Sequence, residues 1–426
     1  MKFGWFHLMP YRELPQDFAE KHHSVWVDVP SSLFDPERAH EMYHDYLDEL
    51  EFAASVGFDG ICVNEHHQNA YGLMPSPNIM AAALSRRTKD AAIIVLGNSV
   101  ALYDPPIRVA EEFAMLDCLT GGRLVAGFPV GTAMDDAFAY GSNPALLRRK
   151  YYEAAGLITK AWTEPEVFSF NGEFSQLRYV NTWPKPVQKP HPPIWIPGGG
   201  SVETWDWCAD NDYVYAALSY GGYKAGQKSL DGFWRTMQAK EKPLNPYQAA
   251  FLQLVCCADS ASEVEDKYGE AAEYFYNKML HIWPGFADPP GYRTVKSIEA
   301  GFNRSEGLKP IFGTSEKFQE NEAATTVVRG NQQVTWKDLL QAGNIIAGTP
   351  DEVTEQLEDA TRTLHVGHML LLLQFGSIPH NLALENTKIV AEKVMPNLRH
   401  IWDDEGWEDK WWPKPMAERK TPAPIL

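Results

Sequence analysis

The run Asp59-Gly-Ile-Cys-Val-Asn-Glu65-His66-His67 sets a carboxylate and two imidazoles directly after a short apolar segment. A buried strand ending in ionisable groups delivers them to one rim of a sheet, where a general acid, a general base or a metal ligand can work. The bland alternative is a histidine pair that only satisfies loop carbonyls. Consecutive side chains on an extended backbone point to opposite sides, so His66 and His67 do not easily share one ion. No metal is expected at this run.

A second candidate is the turn Pro197-Gly198-Gly199-Gly200-Ser201, which opens a helix at Val202. Such a turn exposes backbone N–H groups and a helix N-terminus to an anion, although glycines also serve a plain tight turn. Glu203 stands where the dinucleotide fingerprint GxGxxG needs its third glycine, and neither a Walker motif nor a GxSxG elbow occurs. The third candidate, Leu146-Leu147-Arg148-Arg149-Lys150, gathers three positive charges at the start of a helix in an acidic chain. A solvated helix face is the default for such a run.

These groups need elements to position them. Eight β-rich runs, at 2–8, 59–64, 92–99, 123–128, 193–197, 213–217, 251–257 and 368–375, alternate with amphipathic stretches. Helices are expected at 36–55, 76–87, 107–119, 144–162, 202–210, 230–239, 271–282, 350–364 and 381–398. Strands each followed by a helix read as a parallel (β/α)8 barrel of the α/β class. Three stretches break the alternation: 10–35, 164–192 and 283–344. The second has the Pro-rich, short-stranded look of a hairpin, and the third is long enough to act as a lid over the site. The expectation is one barrel domain over 1–426 carrying these insertions.

Composition bounds the rest. Of 426 residues 44% are apolar, enough for a large core, and Asp plus Glu exceed Lys plus Arg by 56 to 38. A formal charge of −18 argues against a nucleic-acid partner. The longest aliphatic run, 369–373, is far short of a membrane span, and the N-terminus has no signal-peptide pattern. Five cysteines without a CxxC pair suggest buried, reduced thiols and a cytoplasmic location.

Three segments together resemble the bacterial luciferase-like family of flavin-dependent monooxygenases. They are Phe58-Asp-Gly-Ile-Cys-Val-Asn-Glu-His-His, Pro77-Asn-Ile-Met-Ala-Ala-Ala, and the run from Pro106 through Leu116-Asp-Cys-Leu-Thr-Gly-Gly-Arg-Leu to Gly127. The start Met1-Lys-Phe-Gly and the end Val394-Met-Pro-Asn-Leu resemble that family's first strand and last helix. The resemblance implies a luciferase-like TIM barrel holding reduced FMN at its C-terminal mouth and using O2. Position by position, it implies catalysis by His66, a flavin-proximal acid in Glu65, and a ledge for the flavin ring in Gly97, Asn98 and Ser99. For the FMN phosphate it implies Arg148, Tyr140 and the loop Gly199, Gly200 and Ser201. Luciferases themselves carry Cys-Arg-Gly where this chain has Pro129-Val130-Gly131, so the resemblance is to the non-luminescent branch. It further implies a small organic substrate, a separate NAD(P)H:flavin reductase and a homo-oligomer. Two rivals keep the barrel: a hydride-transferring dehydrogenase using the deazaflavin F420, and a flavin-binding protein without turnover.

Overall fold

Apolar runs without alternation cannot leave one face in water, so strands made from them must be covered on both sides. The chain meets this demand by closing them on themselves. A computed structural model describes residues 1–297 and 333–415. In chain order its strands are β1 (Lys2–Phe6), β2 (Gly60–Val63), β3 (Ala92–Val95), β4 (Leu124–Gly127), β5 (Phe168–Asn171), β6 (Gln176–Val180), β7 (Ile194–Gly198), β8 (Val214–Ala217), β9 (Ala249–Cys257), β10 (Ile345–Gly348) and β11 (His368–Leu372). The ring runs β1-β2-β3-β4-β7-β8-β9-β11 and returns to β1, with every pairing parallel. Its eight members are the eight runs expected from sequence. The register sets Trp5 opposite Ile61 on one side and Leu371 on the other.

Strand β10 was not anticipated. It pairs with Leu254–Cys257, the far half of β9, outside the ring. Four residues, Ile345-Ile-Ala-Gly, directly after a long irregular stretch carry no alternation to mark them as a strand. β5 and β6 form the antiparallel hairpin expected within 164–192.

Helices fill the connections. Asp35 caps Pro36–Ser55 by accepting from Glu37 N and Arg38 N, and Thr349 with Glu352 makes a capping box before Pro350–Leu364. Both helices keep their expected bounds. Gly222–Ala239 begins well before the expected 230, because its early glycines hide the signal. The helix expected at 271–282 instead runs Ala261–Tyr274 from a Ser260 cap and ends in a π-helical turn, Phe275–Met279. At the bottom of the barrel Trp412 stacks on His368, with ring centroids 5.5 Å apart. The C-terminal segment therefore seals the end opposite the rim that carries Glu65 and His66.

Four cysteines are buried as expected, but Cys118 is exposed; all five are free. No helix among the described residues is long and apolar enough to cross a membrane. Most of the stretch read as a lid, residues 298–332, lies outside the described residues, as does 416–426. The two described flanks are tied to the barrel: Tyr292 donates to Gly131 O at 2.7 Å, and Asn344 donates to Tyr220 O at 3.0 Å.

Candidate active site

The C-terminal ends of β2, β3 and β4 place their following residues side by side, and two linked clusters result. In the first, Glu65 is buried. Its Oε2 accepts from Ser99 N at 2.6 Å, and its Oε1 accepts from Tyr103 Oη at 2.8 Å and lies 2.9 Å from His67 Nε2. Gly97 allows this approach, since a Cβ there would lie 2.7 Å from Glu65 N. These three contacts tie Glu65 between the ends of β2 and β3. Tyr140 joins this cluster, with its hydroxyl 3.3 Å from His67 Nδ1, rather than the phosphate candidates. Burial, then the Glu65 charge, raises the Tyr103 pKa.

The second cluster centres on Asp135, in the π-helical turn Met134–Ala139 that follows β4. Asp135 Oδ2 lies 3.2 Å from His66 Nδ1 and accepts from Thr132 Oγ1 at 3.0 Å. Its Oδ1 accepts from Trp26 Nε1 at 3.1 Å and from His67 N at 2.8 Å. The adjacent histidines thus face different partners, as their extended backbone requires. Trp26 stacks on Tyr71 and meets the His66 ring edge-on, with centroids 4.8 and 4.9 Å apart. His66 itself looks into a cavity of about 440 Å³ walled by the loop at 10–35 and the loop after β2.

Beside Asp135, the Asp136 carboxyl is fully buried, and neither of its oxygens has a hydrogen-bond partner among the described residues. Burial, then Asp135, then Glu65 raises its pKa well above the usual carboxylate range. Gly131, at φ +106°, gives it room: a Cβ there would collide with Asp136 Oδ2.

Arg148 and the loop after β7 form a separate pair. Arg148 Nη2 donates to Ser201 Oγ at 3.3 Å, while Nη1 is buried without a partner among the described residues. Ser201 caps the helix Val202–Asn211, and a Cβ on Gly199 would meet nothing within 4 Å. An orphaned guanidinium N–H, an open glycine and a capped helix start fit the terminal phosphate of a cofactor such as FMN. Glu203, in the first turn, accepts from Thr294 of the 283–344 insertion.

Of the expected ledge, Gly97 and Ser99 contribute backbone. Asn98 turns away, exchanging side-chain hydrogen bonds of 2.9 and 3.0 Å with Asn78. Sequence reasoning passes over Asp135, Asp136, Trp26 and Tyr103; the adjacent acids after the fourth strand were the available signal. It also passes over His40-Glu41-Met42-Tyr43-His44, a helical HExxH. Both its imidazoles are exposed, with centroids 4.7 Å apart, and no group of three or more His, Cys, Asp or Glu among the described residues could hold a metal.

Residues 1–366 match the luciferase-like monooxygenase family. An uncharacterized protein y4wF of Sinorhizobium fredii is 29% identical over 370 residues, covering 85% of this chain and 94% of its own length. Limonene 1,2-monooxygenase of Rhodococcus erythropolis is 34% identical over 282 residues, 64% of this chain and 69% of that protein. The oxygenase component of the flavin-dependent trigonelline monooxygenase of Acinetobacter baylyi is 29% identical over 167 residues, 38% and 45% of the two chains. Among solved structures, the oxygenating constituent of 3,6-diketocamphane monooxygenase from Pseudomonas putida, in complex with FMN, superposes with TM-score 0.66 at 15% identity, covering 93% and 98%. An F420-dependent secondary alcohol dehydrogenase superposes with TM-score 0.57 at 17% identity, covering 93% and 99%. At these identities the two structures speak for the barrel alone, and the sequence matches for the family. The chain belongs to the luciferase-like monooxygenase family.

Proposed function

We propose that this chain, a flavin-dependent monooxygenase by family, takes reduced FMN from a separate reductase and inserts one oxygen atom of O2 into a small organic molecule. The observation that carries the FMN assignment is the buried, unpartnered Nη1 of Arg148 beside Ser201 and the open Gly199. It lies on the same rim as His66. When bound, reduced flavin supplies the electrons that let O2 react with a closed-shell substrate.

The protein's own groups do the rest. Arg148 and the first turn of Val202–Asn211 would hold the phosphate of the cofactor, and Gly97 and Ser99 would support its ring. Asp135 accepts from the His66 ring at Nδ1, so Nε2 is the atom free to take a substrate proton. The rings of Trp26 and Tyr71 pack edge-on against the His66 ring and help hold it in place. The separate reductase is supported by the relative that is itself an oxygenase component. It is also supported by the lack of a GxGxxG fingerprint in the sequence.

Mixing the protein with chemically reduced FMN in buffer equilibrated with 18O2 tests the proposal. The expected results are slower reappearance of oxidised flavin than in free solution and one labelled oxygen in the product. Oxidation of an alcohol coupled to F420 reduction, with no label incorporated, would assign the barrel to hydride transfer instead.

A further inference from the structure

The cavity at His66 has an uncharged wall. Leu14, Val27, Val29, Leu33, Phe34 and Leu73 are its larger aliphatic and Phe side chains, and no Asp, Glu, Lys or Arg among the described residues lines it. This chain carries 56 acidic and 38 basic residues, so an uncharged wall is not the default. Charged neighbours are kept elsewhere: Arg12 pairs with Asp45, and Arg38 with Glu13, outside the lining.

The wall also carries Tyr11, Ser31, Tyr43, His66, Gln68 and Asn69, and most of these polar side chains are engaged within the protein. Asn69 donates to His67 O at 2.7 Å and accepts from Gly72 N at 2.7 Å. Tyr43 donates to Leu73 O at 2.6 Å. Tyr11 accepts from Asp35 N at 3.0 Å, which leaves its O–H to donate. His66 has Nδ1 turned to Asp135 and Nε2 free. The volume, about 440 Å³, lies within the range of small-molecule sites, about 300–1,000 Å³.

We infer that this cavity is the substrate site, and that its occupant is a neutral, compact, largely apolar molecule bearing at most one or two hydrogen-bond acceptors. The inference rests on the monooxygenase reading only for the word substrate. An ionised group carried against this wall would lose hydration and find no opposite charge, whereas an apolar skeleton gains from burial against the Leu, Val and Phe side chains. A carbonyl or ether oxygen on that skeleton is the group that the free Tyr11 O–H can receive. The loop at 10–35, which supplies five of the six apolar residues named above, is therefore the specificity element.

Three probes of one size and shape separate these cases: 4-tert-butylcyclohexanone, 4-tert-butylcyclohexanecarboxylate and 4-tert-butylcyclohexylammonium. Their binding is measured by calorimetry on the full chain, with and without FMN. The ketone should bind at least ~10-fold more tightly than either ion, the scale of an uncompensated polar burial. Leu33→Lys should abolish that preference in favour of the carboxylate, while Leu33→Ala, which adds no charge, should keep it. Equal affinity for the three probes, no binding of any at millimolar concentration, or a ketone affinity unmoved by Leu33→Lys overturns the inference. Because binding is read without turnover, ketone binding with no oxygen incorporation from reduced FMN would count against the monooxygenase reading and leave the cavity assignment standing.

Discussion

Asp135 Oδ2 sits 3.2 Å from His66 Nδ1, and Asp135 itself is held by Thr132, Trp26 and the His67 backbone. A carboxylate fixed from three other directions can fix an imidazole in turn. Asp135→Asn keeps the shape but changes which ring nitrogen carries the proton. Product formation from supplied reduced FMN should fall by roughly 100-fold or more, the scale of a lost general acid/base contribution. FMN affinity should stay within about 2-fold, as in any change that touches orientation but not cofactor contacts, and the pH–rate profile should shift. Loss of FMN binding with an unchanged pH profile would make Asp135 a purely structural residue.

The paired histidines should fail in different ways. His66→Ala removes the group facing the cavity, so it should lower product yield roughly 100-fold while the melting temperature hardly changes. His67 is buried between Glu65 and Tyr140, and His67→Ala strips a donor from a buried carboxylate. That loss should cost about 1–3 kcal/mol of stability. Equal destabilisation by both substitutions, with neither specifically reducing yield, would mean the Glu-His-His run is scaffold.

Arg148 supplies the test of the phosphate assignment. FMN should bind more tightly than riboflavin, and Arg148→Ala should weaken FMN by about 1.5–3 kcal/mol while leaving riboflavin nearly unaffected. Fluorescence titration of both flavins against both proteins gives the four constants. Identical riboflavin and FMN affinities in the native chain would remove Arg148 and the Gly199–Ser201 turn from cofactor binding.

The barrel and its rim were legible because each depends on local signals that tertiary context does not override. Eight apolar runs separated by helical periodicity mark strands that need cover on both faces, which a closed barrel or a doubly wound sheet supplies, and the luciferase-like resemblance selects the barrel. Glu65, His66 and Gly97 then follow as residues just past strand ends. What was not legible depends on contacts between loops. Asn98 looks like a site residue by position, yet Asn78 claims its side chain. Tyr140 looks like a phosphate ligand, yet it meets His67. Asp135 reaches His66 across 69 positions of chain, and no pattern within either segment announces it. The flanks of 283–344 show the same limit, because Thr294 meets Glu203 across 91 positions.

Asp136 gives the last prediction, and its sign can be worked out. Its pKa is raised well above the usual range by burial and by the charges of Asp135 and Glu65. The folded chain therefore keeps a proton that the unfolded chain releases near the ordinary Asp value, about 3.9. Its stability contribution is fully present below that value and is lost as pH rises toward the folded pKa. Asp136→Asn, which cannot ionise, removes this loss. The variant's stability relative to the native chain should thus be higher at pH 8 than at pH 5, with a slope of at most about 1.4 kcal/mol per pH unit. Urea unfolding of both proteins at the two pH values measures the difference, in which other titrating groups cancel. The same substitution should leave turnover near the native level, because the Asp136 side chain makes no hydrogen bond to Asp135 or His66. A relative stability that does not change between the two pH values would show that Asp136 is ionised in the fold, and the two adjacent carboxylates would then need a compensating charge.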